Sequence, residues 1–244
     1  MNRYFIRLSY CGTKYNGWQV QPHKGTATVQ GTLENAMTLY LRTPISLVGC
    51  GRTDTGVHAK DYIAHFDLSD IQDLPSTVYR INKILPADIA VHDIFEVDGG
   101  AHARFDAKSR SYQYDLHTEK SPFHPFSFYY VYEKPDLALL NEAAAIILQY
   151  SEFDTFCKMH SDVKTTKCRI DESFWIQDGA HYRYRITADR FLRGMIRLIV
   201  GMCLQVARGK VSIEEVHTAL ATKQKLAMDW SVPADGLMLC DIKY

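Results

Sequence analysis

Apolar and polar residues alternate over positions 3–10, the period of a strand with one buried face. From 29 to 42, in VQGTLENAMTLYLR, the period lengthens. Val29, Leu33, Ala36, Met37 and Tyr40 fall on one helical face, with Thr28 as N-cap and Pro44 as the stop. A short apolar run follows at 45–50, and DYIAHFDL at 61–68 reads as a strand. A helix is expected over 76–85, after Pro75 and before Pro86, then a strand over 88–97. In the second half, 111–117 and 127–132 read as tyrosine-rich strands, and 136–149 as a helix with Pro135 placed for its start. Residues 166–177 and 181–189 alternate and are joined by Asp178-Gly179-Ala180, a hairpin signal. A long helix over 192–207, a short one over 212–221 and a last strand, GLMLCDIKY, complete the pattern.

Helices interspersed with hairpins, without regular βαβ spacing, predict an α+β fold with a mostly antiparallel sheet. A boundary near Gly99-Gly100 divides the chain into halves of similar element content, 1–101 and 102–244.

Composition narrows the class. The 244 residues are 46% hydrophobic and 23% charged, ordinary values for a folded soluble protein. No apolar run of membrane-spanning length occurs, and MNRYFIRL reads as a strand, not a signal peptide. Six cysteines at 11, 50, 157, 168, 203 and 240 form no CxxC and no zinc spacing, which points to reduced thiols and a cytoplasmic location. His58 and His65 have no further ligands nearby in sequence, so no metal is expected. Lys plus Arg equals Asp plus Glu at 28 each, so net charge does not signal a nucleic-acid partner. The cations are uneven, however. Lys158, Lys164, Lys167 and Arg169 form one group, and Arg183, Arg185, Arg190, Arg193 and Arg197 another. Each is either a solvated face or a local basic surface.

Four stretches can carry chemistry. GRTDTGVHA, at 51–59, lies in a loop between strands. Asp54 is either a turn former or a reactive carboxylate, and Arg52 two positions earlier would hold it ionised if the two shared a face. An ionised carboxylate can attack an electron-poor carbon or stabilise a developing cation. Gly51 and Gly56 allow a tight turn, but the Gly-Lys-Ser/Thr ending of a phosphate loop is missing. YCGTKYNGWQVQ, at 10–21, is either a hairpin or loop packed by aromatics or a flexible basic-aromatic loop at a nucleic-acid surface with Lys14 as a phosphate partner. In HARFDAKSRSYQYDL, at 102–116, Tyr112 and Tyr114 share a strand face behind Lys108 and Arg110; a tyrosine there packs the core, stacks on a base or moves a proton. In DRFLRGMIRLIVG, at 189–201, Arg190, Arg193 and Arg197 have helical spacing and are expected to form one basic stripe.

Together and in this order, these stretches resemble the TruA family of tRNA pseudouridine synthases. GRTDTGVHA is similar to its catalytic loop; YCGTKYNGWQVQ, TVQGTLENAM, NKILPADIAV, HARFDAKSRSYQY and FLRGMIRLIVG are similar to its other blocks. The resemblance spans nearly the whole chain, and the catalytic loop with the GWQ block is its most specific part. It implies two α/β domains sharing a continuous sheet, with the catalytic loop in the cleft between them, and a homodimer. It implies cofactor-free isomerisation of uridine in the anticodon stem-loop of tRNA, at positions 38 to 40 of the RNA. By motif, Asp54 is the catalytic aspartate and Arg52 its neighbour. Tyr112 matches the active-site tyrosine, and Arg197 the arginine facing the aspartate. Lys14, Arg110, Arg190 and Arg193 are the candidate RNA contacts beside them. Thr55 departs from the family's usual alanine, and Tyr62 from the glutamine of many members. Two other classes compete with this reading: a non-catalytic RNA-binding protein, and a hydrolase with an aspartate nucleophile.

Overall fold

The structure, a computed structural model, describes residues 1–21, 27–157, 164–227 and 230–244. Lys158, one of the clustered cations, lies outside the described residues. The chain forms two compact units, Met1–Lys108 with Met238–Tyr244, and Ser109–Leu237. The change of unit falls at 108/109, where the sequence pattern placed it at 101/102, and the last strand returns to the first unit.

The first unit holds strands β1 (Asn2–Tyr10), β2 (Val48–Gly49), β3 (His58–Leu68) and β4 (Ile89–Val97), and the chain's last strand, β9 (Leu237–Lys243). Their order is β4-β1-β3-β9, with β2 paired to β3. All pairs are antiparallel except β3 with β9, where His58 lies opposite Met238. β1 is central and buried on both faces. Ile6, Leu8 and Tyr10 point one way, and Phe5 points the other, into a cluster with Ile63 and Ala103. Helix α1 (Val29–Leu41) is capped by Thr28, whose hydroxyl accepts from the Gly31 N–H at 3.2 Å. It ends at Arg42, in the left-handed region, before Pro44 is reached. Helix α2 (Leu74–Ile84) begins earlier than the pattern suggested. Asp73 caps it, and Pro75 sits within the first turn, where no intrahelical N–H is required.

The second unit holds β5 (Ser109–His117), β6 (Phe128–Tyr129), β7 (Ile170–Asp178) and β8 (His181–Ala188), ordered β5-β8-β7 with β6 parallel to β5. The β7–β8 hairpin turns at Gly179, φ +57°. The strand expected over 127–132 shrinks to two residues, and that over 166–177 starts at Ile170. Helix α3 (Leu137–Ile146) packs on β7 and against both α4 (Met195–Ala207) and α5 (Ile213–Thr222). Asp136 caps α3, and Ser212 with Glu215 forms a capping box on α5. Helix α4 is apolar nearly all round and almost entirely buried.

The helix expected over 192–207 starts only at Met195, because Gly194 takes a left-handed φ of +72° and breaks the pattern before it. Arg190 and Arg193 therefore lie in the approach to α4 and only Arg197 on the helix, so the expected three-arginine helical stripe does not form. The fold is α+β and mostly antiparallel. Among the described residues no helix is long and apolar enough to cross a membrane.

Candidate active site

In the first unit the motif at 51–59 runs from just after β2 into the first residues of β3. Asp54 heads a tight turn. The Val57 N–H donates to the Asp54 carbonyl at 3.2 Å, and Gly56 supplies the positive φ of +82°. The stretch at 10–21 is fastened to this turn along its length. The Trp18 N–H donates to the Thr53 carbonyl at 3.2 Å, and the Gly56 N–H to the Tyr15 carbonyl at 3.3 Å. The Gly12 N–H donates to Nδ1 of buried His58 at 3.0 Å. Tyr10 and Thr53 share a hydroxyl–hydroxyl bond of 2.8 Å.

Two glycines permit this approach. A Cβ on Gly12 would lie 1.9 Å from the Val57 carbonyl oxygen, and one on Gly17 2.3 Å from that of Thr53. Gly17 also has φ +83°. Beneath the motif, Trp18 stacks on Tyr62 with ring centroids 4.0 Å apart, and Tyr10 packs at 5.6 Å from Tyr62. All three rings are buried, and the Tyr62 hydroxyl donates to the Gly51 carbonyl. The loop that carries Asp54 thus sits on an aromatic floor.

Asp54 is half-buried, while Arg52 and Thr55 are exposed. Among the described residues Arg52 forms no ion pair, with Asp54 or otherwise. A shared face at i and i+2 needs an extended strand, and residues 52–54 belong to no strand. Lys14 ends a short 3₁₀ turn, its side chain 82% exposed and its ammonium 3.7 Å from Asp88. The other Asp88 oxygen accepts from the Tyr15 hydroxyl at 2.6 Å. Burial, then the neighbouring carboxylate, push that phenol far above its ordinary range, so it remains a donor.

In the second unit Tyr112 is half-buried on β5 with Phe191 edge-on at 5.3 Å. Tyr114, on the same face, is fully buried and donates to the Pro233 carbonyl at 3.0 Å. Arg110 donates to the Asp189 carbonyl at 2.7 Å, and Arg190 to that of Thr165 at 3.4 Å. Arg193 is exposed. Arg197 is half-buried; its Nε donates to the Val232 carbonyl at 2.5 Å, and the Val232 N–H donates back to the Arg197 carbonyl at 3.3 Å. Several other clustered cations already have acidic partners: Lys167 with Glu152, Arg169 with Asp171 and Arg183 with Asp115.

The sequence model of the tRNA pseudouridine synthase family matches residues 150–244. Over 245 residues the chain is 44% identical to tRNA pseudouridine synthase A of Parabacteroides distasonis, covering all of this chain and 96% of that one. The chain belongs to the tRNA pseudouridine synthase A family. It is also 36% identical over 242 residues to the Bacillus subtilis protein of that name, covering 97% of each, and 33% identical over 253 residues to that of Acinetobacter baumannii, covering 100% and 92%.

For this family member, the first unit brings Asp54 together with the stretch at 10–18, and the second places Arg110, Arg190 and Arg197 at the ends of β5, β8 and α4. Sequence reasoning overlooked the supporting residues. Tyr10 read as the start of the aromatic stretch and Tyr62 as a strand position and a departure from the family, neither as a support of the motif, and Val232 was not read at all. The available signal was the tyrosine at 62 itself, a hydroxyl on a strand position that must find a partner once buried.

Proposed function

We propose that the protein isomerises uridine to pseudouridine in tRNA, with Asp54 as the catalytic carboxylate. The observation that carries this reading is the half-buried Asp54 at the head of a closed turn, braced by Trp18, Tyr10 and Tyr62, in a chain similar to synthases over its full length. Such bracing gives the carboxylate one position before substrate arrives, and pre-organisation of this kind lowers a barrier without reorganisation at the moment of reaction.

The bond from ribose C1′ to N1 breaks, the base rotates, and C1′ bonds to C5. The C5 hydrogen leaves as a proton and N1 finishes protonated, so atoms and electrons balance within the substrate. The uridine must leave its stack before a side chain can reach it. Asp54 then adds to C1′, adds to C6, or assists departure of the base toward a glycal; one ionised carboxylate can serve each route. Tyr112 stacks on the extruded uracil. Arg197 holds Asp54 charged and positioned. Arg52, exposed and without an ion pair among the described residues, is available to phosphate. Lys14, Arg110, Arg190 and Arg193 contact the RNA backbone. The target is the anticodon stem-loop, at positions 38 to 40 of the tRNA. The enzyme is a cytoplasmic homodimer and uses no cofactor.

The test is incubation with an unmodified tRNA transcript, with pseudouridine mapped by chemical labelling and primer extension. Wild type is expected to produce stops in the anticodon arm; Asp54→Asn is expected to produce none while still binding the RNA. RNA binding without stops in the wild type would support a non-catalytic RNA-binding protein instead.

A further inference from the structure

The 102–106 turn is built to hold an aromatic ring in water. The Asp106 N–H donates to the His102 carbonyl at 3.1 Å, and the His102 N–H to the Asp106 carboxylate at 2.7 Å. Nδ1 of His102 accepts from the N–H groups of Arg104 and Phe105, at 3.1 and 3.2 Å. The turn is tied to the sheet from three sides. The Ala103 N–H donates to Nδ1 of buried His65 at 3.1 Å, Tyr244 donates to the Ala103 carbonyl at 2.7 Å, and Arg3 to that of Ala101 at 2.9 Å. What this scaffold presents is Phe105, 76% exposed. Its ring centroid lies 4.2 Å from that of His102, which is itself edge-on to His65 at 4.6 Å. The Arg104 guanidinium lies 5.9 Å from the Phe105 ring centre.

A phenyl ring left in solvent is unremarkable on a loose loop. Here the backbone on both sides is hydrogen-bonded and one face of the ring is already backed, so little ordering entropy remains to be lost on contact. A flat apolar face beside a guanidinium matches the π face of a nucleobase and the phosphate next to it. Paired bases hide their faces within the helix, so the match is to an unpaired base. Of the acids near the turn, Asp106 bonds the His102 N–H and Asp67 pairs with Arg3.

We propose that Phe105, backed by His102 and flanked by Arg104, is a stacking platform for an unpaired nucleobase of the substrate RNA. The proposal rests on the RNA-modifying function above and adds a binding site remote from the chemistry. His65, on which the platform rests, is seven residues along β3 from His58 of the catalytic motif, roughly 23 Å at the rise of a strand. The base that stacks is therefore not the one isomerised, and the platform acts on affinity rather than on the chemical step.

The experiment measures tRNA affinity and pseudouridine kinetics for Phe105→Ala, Phe105→Leu and Phe105→Trp, with unfolding curves and oligomeric state for each. Base–aromatic stacking predicts that Phe105→Ala and Phe105→Leu weaken binding and raise KM about 5- to 150-fold with kcat held, since Leu restores apolar bulk without a π face. Phe105→Trp is expected to bind as wild type, with its indole fluorescence quenched on adding tRNA. Wild-type affinity in Phe105→Ala, or full rescue by Leu, overturns the platform. Changed self-association with unchanged RNA affinity also overturns it, in favour of a subunit contact. Should the wild type bind tRNA but form no pseudouridine, the affinity series still tests the platform, so the two readings fail separately.

Discussion

The Tyr62 hydroxyl donates its hydrogen bond to the carbonyl of Gly51, the first residue of the motif that carries Asp54. The ring is fully buried against Trp18 and Tyr10, so this bond fixes the height of the loop above the sheet. The buried tyrosine hydroxyl thereby satisfies a backbone group of the loop. Tyr62→Phe keeps the packing and removes the bond. The expected cost is about 1 kcal/mol, or a fall of about 2–4 °C in Tm. Turnover on tRNA should fall with RNA affinity unchanged. Parallel unfolding curves and single-turnover assays check this; unchanged turnover would separate Tyr62 from the placement of Asp54.

Gly12 and Gly17 set a second expectation. An added Cβ at either would collide with a motif carbonyl, and these oxygens belong to backbone that cannot swing aside. Overpacking of this kind costs about 1–3 kcal/mol. At Gly17 the left-handed φ adds roughly 1–2 kcal/mol. Gly12→Ala and Gly17→Ala should both lower Tm, Gly17→Ala more. A Cβ added at Gly51 would meet nothing within 4 Å, so Gly51→Ala should unfold like the wild type. Thermal scans of the three variants decide the ranking.

Two buried histidines predict an acid limit to stability. Burial, helped by Arg3 and His102, lowers the pKa of His65 below the ordinary value against the smaller opposing pull of Asp67 and Asp106. Burial lowers that of His117 too, with His124 and His181 adding to it. A depressed folded pKa means that the unfolded chain binds more protons between the folded value and about 6.5. The stability from both groups is therefore fully present above about pH 6.5 and lost as pH falls below it. Unfolding midpoints should drop between about pH 7 and about pH 5.5. His65→Asn, whose amide oxygen can still accept from Ala103, should reduce that drop in denaturant titrations at the two pH values.

Much of the frame was legible because its signals are local. Thr28 caps α1 through a residue three positions away, and β7 and β8 announce themselves by alternation around Gly179. The misreadings involve distance or backbone angle. Nothing in DRFLRGMIRLIVG says that Gly194 takes a positive φ, so a stripe of three arginines looked helical until that angle was known. The last strand pairs with β3 across almost the whole chain, and no periodicity encodes a partner so remote. The motif was visible as a reactive-looking loop, but its floor of Tyr10, Trp18 and Tyr62 depends on which way three rings lean. The Arg52–Asp54 pair was inferred from strand geometry, and residues 52–54 belong to no strand.

Arg197 gives the sharpest separation between anchoring and chemistry. Its Nε is spent on the Val232 carbonyl, which clamps α4 to the chain at 230–232. One turn further on, Gly201 allows the same close approach, since a Cβ there would lie 1.7 Å from the Trp230 carbonyl oxygen. The anchoring bond uses only one edge of a guanidinium and leaves the terminal nitrogens to face a carboxylate or substrate. Arg197→Lys keeps the positive charge and loses the planar fork. If Arg197 positions Asp54 as proposed, kcat should fall on the order of 100-fold, the scale for losing a pre-organised donor. Stability should fall by about 1 kcal/mol, the scale of one hydrogen bond, with RNA affinity nearly unchanged. Single-turnover rates at saturating tRNA, set beside urea unfolding of the same preparations, check the pairing of these two effects. A stability loss with kcat intact would confine Arg197 to holding the 230–232 segment on α4.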